Sequence, residues 1–180
     1  MPDQKLAGGP TQDEIMAVSL AKLGLCSTDT VLEIGCGTGK VSVAMARLSS
    51  KVYSLDLRPD AVSMARDTAR KSGVNNIEFF NTEATAFLSH DAVYDCAFLG
   101  GTKNLPAILP VLAKKVKRTI VINAVLLSTL ADSVNALQKL GLFVEVVQVQ
   151  VSRSHEIAGS LMFKPIDPVY IIVGKGAACS

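Results

Sequence analysis

The run Val31-Leu32-Glu33-Ile34-Gly35-Cys36-Gly37-Thr38-Gly39 constrains this chain more than any other segment. A β-type stretch passes directly into three glycines at alternate positions, and residues 40–48 then read as a helix. Glycine reaches positive φ and lets a ligand approach the main chain. A helix start adds N–H groups that no helical carbonyl satisfies. Strand, bare turn and helix start, in that order, belong to sheets that bind ligands beyond the carboxyl ends of their strands.

Short apolar runs alternate with amphipathic ones along the rest of the chain. A helix is predicted over 11–23, with Thr11 and Glu14 as a capping box. Strands are predicted over 30–34, 52–55, 77–80, 92–99 and 119–124. Further helices are expected over 59–71, opened by Pro59 and closed by Gly73, over 105–113, disturbed by Pro106 and Pro110, and over 129–140. Residues 143–151 and 169–173 read as late strands with no helix between them, and 151–168 as a long excursion of the kind that covers sites. The alternation implies one α/β domain over residues 1–180. Its sheet is Rossmann-like and mostly parallel, with an antiparallel strand near the C-terminus and helices on both faces.

Composition narrows the function classes. The 180 residues are 49% hydrophobic, yet no apolar run approaches the ~20 residues of a spanning helix. The first ten residues hold no apolar signal core, so a cytoplasmic protein without membrane partners is expected. A net charge of +2 gives no electrostatic case for nucleic acid. Cys26, Cys36, Cys96 and Cys179 form no C-x-x-C pair and no cluster with histidine. They read as buried or incidental thiols, and no metal is expected.

Three ligand classes compete for the glycine turn. A dinucleotide fingerprint fails because its third glycine would fall on Lys40. A phosphate loop fits at Gly39-Lys40, but Ile34 stands where its first glycine belongs and Val41 where its hydroxyl belongs. The pattern that remains, acidic-x-Gly-x-Gly-x-Gly from Glu33, resembles motif I of class I S-adenosylmethionine (SAM)-dependent methyltransferases. Asp56 ends the second strand, nineteen residues beyond Gly37. It is placed to accept from both hydroxyls of a ribose, whether of NAD or of SAM, or to cap the helix at Pro59. After the third strand, Glu83 is a candidate acceptor for an adenine amine, with the Ala84 backbone beside the ring. A solvated Glu83 at a helix start is the plainer alternative. The fourth strand ends in Phe98-Leu99-Gly100-Gly101, without the polar-Pro-Pro-aromatic motif of many amino-group methyltransferases. Gly100 and Gly101 suit a large flat substrate near the main chain, or simply a turn.

These residues, together with Gly8-Gly9-Pro10-Thr11, Asp56-Leu57-Arg58-Pro59, Asn123-Ala124-Val125-Leu126-Leu127, Val151-Ser152-Arg153 and Asp167-Pro168-Val169-Tyr170-Ile171, carry a resemblance over nearly the whole chain. The sequence resembles the decarboxylating cobalt-precorrin-6B carbon-15 methyltransferases of cobalamin biosynthesis, also called precorrin-8w decarboxylases. The resemblance implies SAM as cofactor, held by Thr11, the backbone of Gly35, Cys36, Gly37, Thr38 and Gly39, Asp56 and Ala84. It also implies a tetrapyrrole substrate and a homotetramer. Thr82-Glu83-Ala84 departs from the Gly-Asp-Ala that relatives often show, which lengthens the carboxylate near the adenine.

A sulfonium methyl is already electrophilic, so the chemistry needs alignment and exclusion of water more than a catalytic dyad. An electron-rich tetrapyrrole carbon attacks without prior deprotonation, and the macrocycle serves as electron sink for loss of carbon dioxide. The substrate is rich in carboxylates, for which Lys103, Arg153, His155 and Lys164 are candidate cations, beside a wall of Gly100 and Gly101. No catalytic residue is identified; Arg153 and His155 are the weak candidates, His155 as a proton donor to a ring carbon. An RNA (tRNA adenine) methyltransferase and a non-catalytic SAM-binding module are the competing readings, the first disfavoured by the modest charge and short length.

Overall fold

The computed structural model describes residues 9–101 and 103–178. Gly8 and Cys179, used in the sequence reading, lie outside them. Five βα units come first: β1 (Thr30–Ile34), α2 (Lys40–Ala46), β2 (Lys51–Asp56), α3 (Pro59–Lys71), β3 (Ile77–Asn81), α4 (Ala84–Phe87), β4 (Tyr94–Leu99), α5 (Leu105–Ala113), β5 (Val116–Ala124) and α6 (Leu127–Lys139). A helix, α1 (Asp13–Leu23), precedes them. Four strands follow: β6 (Phe143–Val149), β7 (Ser152–Ile157), β8 (Ser160–Pro165) and β9 (Val169–Lys175).

Seven strands form one sheet in the order β3-β2-β1-β4-β5-β9-β6. The first five are mutually parallel, and β9 runs antiparallel to both β5 and β6. The chain steps outward from β1 to β3, then returns to the other side of β1 with β4, so the switch in strand order falls between β1 and β4.

Alternation along each strand decides what each face touches. Leu32 and Ile34 of β1 point to the side where Leu109 and Leu112 of α5 and Leu137 of α6 pack, as do Leu99, Ile120 and Ile122. Val31, Cys96, Phe98 and Val121 point to the opposite side, against Ile15 and Leu23 of α1 and Val41 and Met45 of α2. A third cluster seats α3 on β3 through Val62, Ala65, Ala69 and Phe79. The same alternation sends Glu33 and Asn123, two polar residues, into the α1–α2 side.

Several sequence expectations need correction. Thr11 and Glu14 form no capping box: α1 begins at Asp13, its N-cap Gln12 makes no side-chain cap bond, and Glu14 pairs instead with Arg153 at 2.7 Å. The excursion over 151–168 is an antiparallel hairpin, β7 on β8, with a turn at Ala158-Gly159 where both φ values are positive. The unbroken polar run Ser152-Arg153-Ser154-His155-Glu156 hides its strand character from an apolar pattern search. The short α4 also escapes it, being a single turn. Helix α5 has the span expected of it, Leu105 to Ala113, with Pro106 in its donor-free first turn and Pro110 inside it. No described helix is long and apolar enough to cross a membrane.

Candidate active site

The glycine turn after β1 is pinned from both sides. The N–H groups of Gly35 and Cys36 donate to Leu55 O at the end of β2, at 2.7 and 3.0 Å. Gly100 and Gly101 N–H groups, beyond β4, both donate to Ile34 O at 2.9 Å. Gly35 has φ +88°, and an added Cβ would stand 2.3 Å from Gly101 N. Two stretches of main chain thus touch where side chains would hold them apart. Gly37 differs: its φ is +51° and nothing lies within 4 Å of an added Cβ. Its surface opens onto a cavity instead of onto protein. Gly39 faces protein: α3 packs against it, with Ala65 Cα 2.7 Å from the would-be Cβ.

Two cavities meet at Gly35, Arg58 and Gly100. The first, about 540 Å³, is lined by Thr11, Glu33, Cys36, Gly37, Thr38 and Asn123, among others. The second, about 740 Å³, is lined by Asp56, Leu57, Glu83, Ala84, Gly101 and Lys103, among others. Apart from Gly39, the residues predicted to hold a nucleoside cofactor therefore line one or other of two adjoining hollows at the ends of β1, β2 and β3.

Glu33 is completely buried. Its Oε2 accepts from Ser54 Oγ at 2.5 Å and from Ser42 Oγ, while Oε1 has no partner. Burial raises its carboxyl to about 7, against the two serine hydrogen bonds; the charge of Asp56 raises it further. An orphaned acceptor beside a cavity is suited to a cationic group. Asp56 accepts from Gly37 N at 3.0 Å and from Arg58 N at 3.0 Å. Burial opposes its ionisation, but the hydrogen bonds from Arg58 and Gly37 prevail and hold its carboxyl below the usual range. The Arg58 N–H that Asp56 holds belongs to the N-cap residue of α3, which makes no side-chain cap bond of its own. Burial likewise pushes the Cys36 thiol up to about 12, with Glu33 and Asp56 adding to it, so this cavity-lining cysteine stays protonated and unreactive.

The segment leading to α1 forms one wall of the first cavity. Lys40 Nζ ties it down, donating to Thr11 O at 3.2 Å and pairing with Asp13 at 2.7 Å. Glu83 is exposed at the N-cap of α4, and Ala84 behind it is buried. Arg153, His155 and Lys164 lie on the hairpin and line neither cavity, so the structure does not gather them with the glycine turn. Lys103 does reach the second cavity. Glu33, Arg58 and Asn123 are among the cavity residues that were not predicted as site residues. The acidic residue ahead of the glycines was the available signal for Glu33. Asn123 pairs with Ser19 of α1 at 2.9 Å, a contact between residues 104 apart that no local pattern announces.

Residues 5–175 match the family described as "Precorrin methyltransferase domain". A Methanosarcina acetivorans protein named "Probable cobalt-precorrin-6B C(15)-methyltransferase (decarboxylating)" is 46% identical over 179 residues, covering 96% of this chain and 97% of its own. Among solved structures, a precorrin-8w decarboxylase from Methanobacterium thermoautotrophicum superposes with a TM-score of 0.89 at 26% identity, over 92% of this chain and 91% of that one. A precorrin-6y C5,15-methyltransferase from Geobacter metallireducens gives 0.89 at 30% identity, over 95% and 93%. With a match over almost the whole length in sequence as well as in backbone, the chain belongs to the precorrin methyltransferase family.

Proposed function

We propose that residues 1–180 form one methyltransferase domain that binds SAM across the ends of β1 and β2. Its reaction is methylation of carbon 15 of cobalt-precorrin-6B, with loss of the ring acetate carboxyl as carbon dioxide. The observation that carries the SAM assignment is the unpartnered Oε1 of buried Glu33, a residue that lines a cavity adjoining the one lined by Asp56. An amino-acid ammonium suits the first and a ribose diol the second, at the two ends of one nucleoside-sulfonium ligand. Substrate and reaction follow from the relatives' names.

Each residue then has a task. Glu33 holds the ammonium, and the charge so gained favours its ionised form. The open face of Gly37, with Gly35, Cys36 and Thr38, lets the ligand lie on the main chain, and Thr11 closes the far wall. Asp56 takes the ribose; Leu57, Glu83 and Ala84 flank the adenine. Gly39 supports the turn by admitting α3. SAM, when bound, supplies an electrophilic methyl group. The chain's part is to hold the acceptor carbon in line with it and to keep water away. Gly100 and Gly101 leave the wall between the two cavities free of side chains, so a flat macrocycle can come close. Lys103 is placed to meet a substrate carboxylate.

A homotetramer is part of the same proposal. Its support is the hairpin, where Leu161 and Phe163 are 78% and 70% exposed and Ile157 and Met162 are also uncovered. Apolar side chains gathered in this way mark contact surfaces. A cytoplasmic setting fits the free thiols of Cys26, Cys36 and Cys96.

Incubation with SAM and cobalt-precorrin-6B tests the reaction. Mass spectrometry should show the tetrapyrrole gaining one methyl group and losing one carbon dioxide. Methyl transfer to tRNA with the tetrapyrrole left unchanged would overturn the reading. Tight SAM binding with no transfer to any acceptor would leave a binding module.

A further inference from the structure

The amino-acid tail of SAM carries an ammonium and a carboxylate on one carbon, so the partners of both must stand at the same end of the cavity. Glu33 supplies the acceptor there. A carboxylate taken into a cavity needs donors of its own. Two of the residues lining the first cavity are cationic, Arg58 and Lys40. Arg58 pairs with Asp56 at 3.0 Å, on the side assigned to the ribose. Lys40 opens α2, directly after the glycine turn, and the same helix sends Ser42 to Glu33. Its Nζ donates to the carbonyl of Thr11, another residue of this cavity, at 3.2 Å, and pairs with Asp13 at 2.7 Å. An ammonium has three donors, and these two partners leave one. The side chains of Asp13 and Lys40 are 71% and 36% exposed. Their pair is therefore weak and solvated, and the charge of the lysine is not spent on it.

Resting on SAM as the ligand, we propose that Lys40 holds the carboxylate of the cofactor, so that Glu33 and Lys40 together form a zwitterion site at the glycine turn. The buried anion takes the ammonium and the half-exposed cation takes the carboxylate. A lysine suits this task, being a compact point charge on a long stem with donors to share among several oxygens. The consequence is selectivity for an intact amino-acid tail. The site favours SAM over nucleosides that present the same adenine and ribose but lack the carboxylate. It also joins the ligand to the segment before α1, because the lysine that holds the carboxylate already holds the Thr11 carbonyl and Asp13.

Titration calorimetry without the tetrapyrrole, comparing SAM with decarboxylated SAM, tests this. The two ligands differ only in the carboxylate. The wild type should bind SAM about 10- to 100-fold more tightly, the scale of a hydrogen bond to a charged group. Lys40→Met should lose that difference by weakening on SAM alone, and should bind decarboxylated SAM at least as well as the wild type does. Lys40→Arg should keep most of the difference. Asp13→Asn breaks the tie to the segment before α1 and leaves the lysine in place, so it should keep the difference too. Thermal melts confirm that each variant is folded. Equal weakening of both ligands by Lys40→Met, or the same loss from Asp13→Asn, would make Lys40 a support of the cavity wall and sink the zwitterion site. Equal binding of both ligands by the wild type would also sink it, with SAM kept as cofactor. A wild type that binds neither ligand would end the SAM reading and the site with it.

Discussion

Gly35 and Gly101 share one space: a methyl group on the first would stand 2.3 Å from the main-chain nitrogen of the second. Gly35→Ala must therefore push apart the ends of β1 and β4, on top of the strain of φ +88°. We expect a loss of about 3–5 kcal/mol, from overpacking and a disfavoured φ together, read as a lower denaturant midpoint. Gly37→Ala meets only the φ cost, about 1–2 kcal/mol. Its methyl group enters the first cavity, so SAM affinity should fall about tenfold, or 1.4 kcal/mol. Equal effects of the two substitutions on folding would contradict this division.

Burial holds the Glu33 carboxyl at about 7 in the fold, against 4.5 as an ordinary glutamate. Between these values the unfolded chain has released the proton while the native protein retains it. Glu33 therefore subtracts stability as pH rises from about 4.5 to about 7, and the loss levels off above that. Glu33→Gln keeps an acceptor for Ser42 and Ser54 but cannot ionise. At pH 8 it should be more stable than the wild type by about 1–3 kcal/mol, and the gain should vanish near pH 4.5. SAM binding should weaken at the same time. Calorimetric melts across this range, paired with titrations, provide the check.

Asp56→Ala removes the acceptor assigned to the ribose. SAM binding should weaken by about 1–3 kcal/mol, the scale for losing hydrogen bonds to a buried partner. Unchanged affinity by titration calorimetry would take Asp56 out of the site.

At the opposite end of the sheet, Arg118 grips Asp29 with both nitrogens, at 2.7 and 2.8 Å, and its Nη2 also donates to Gly24 O at 3.2 Å. Asp29 is buried before β1, and Arg118→Ala strands it with the Cys26 N–H as its remaining named donor. Stability should fall by about 1–3 kcal/mol, because the arginine is itself partly solvated. Methyl transfer per folded molecule should not change. The arginine hydrogen bond, stronger than the opposing effect of burial, holds the Asp29 carboxyl below its ordinary range. The pair contributes fully above about pH 4 and fades as acid protonates it. A chemical melt at pH 7 and at pH 3 should show the wild-type advantage shrink.

If the hairpin is the contact between subunits, Phe163→Asp places a charge in that contact. The variant should sediment as a smaller species than the wild type while keeping its fold. An unchanged sedimentation coefficient would move the interface elsewhere.

Much of the architecture was legible because strands buried on both faces carry unbroken apolar runs, as Val31-Leu32 and Ile120-Val121-Ile122 do. The glycine turn and Asp56 were legible for a different reason: main-chain contact tolerates few residue types, and a carboxylate at a strand end stands out. Glu33 was harder to assign, because its meaning depends on Ser42 and Ser54, which reach it only once α2 and β2 are packed. Arg58 stood out only as part of the stretch Asp56-Leu57-Arg58-Pro59, because its pairing with Asp56 shows only in the folded chain. Arg153 was misjudged in the other direction, a cation near the end of the chain that the hairpin commits to Glu14.

The last of the nine strands among the described residues, β9, lies between β5 and β6. During synthesis, every earlier strand of the sheet leaves the ribosome while the open side of β5 still has no neighbour, and β6 has none at all. β6 therefore joins the sheet only through residues 169–175, and the sheet stays incomplete until they are in place. Any premature stop ahead of Val169 would release a polypeptide carrying both edges bare, a template for clumping.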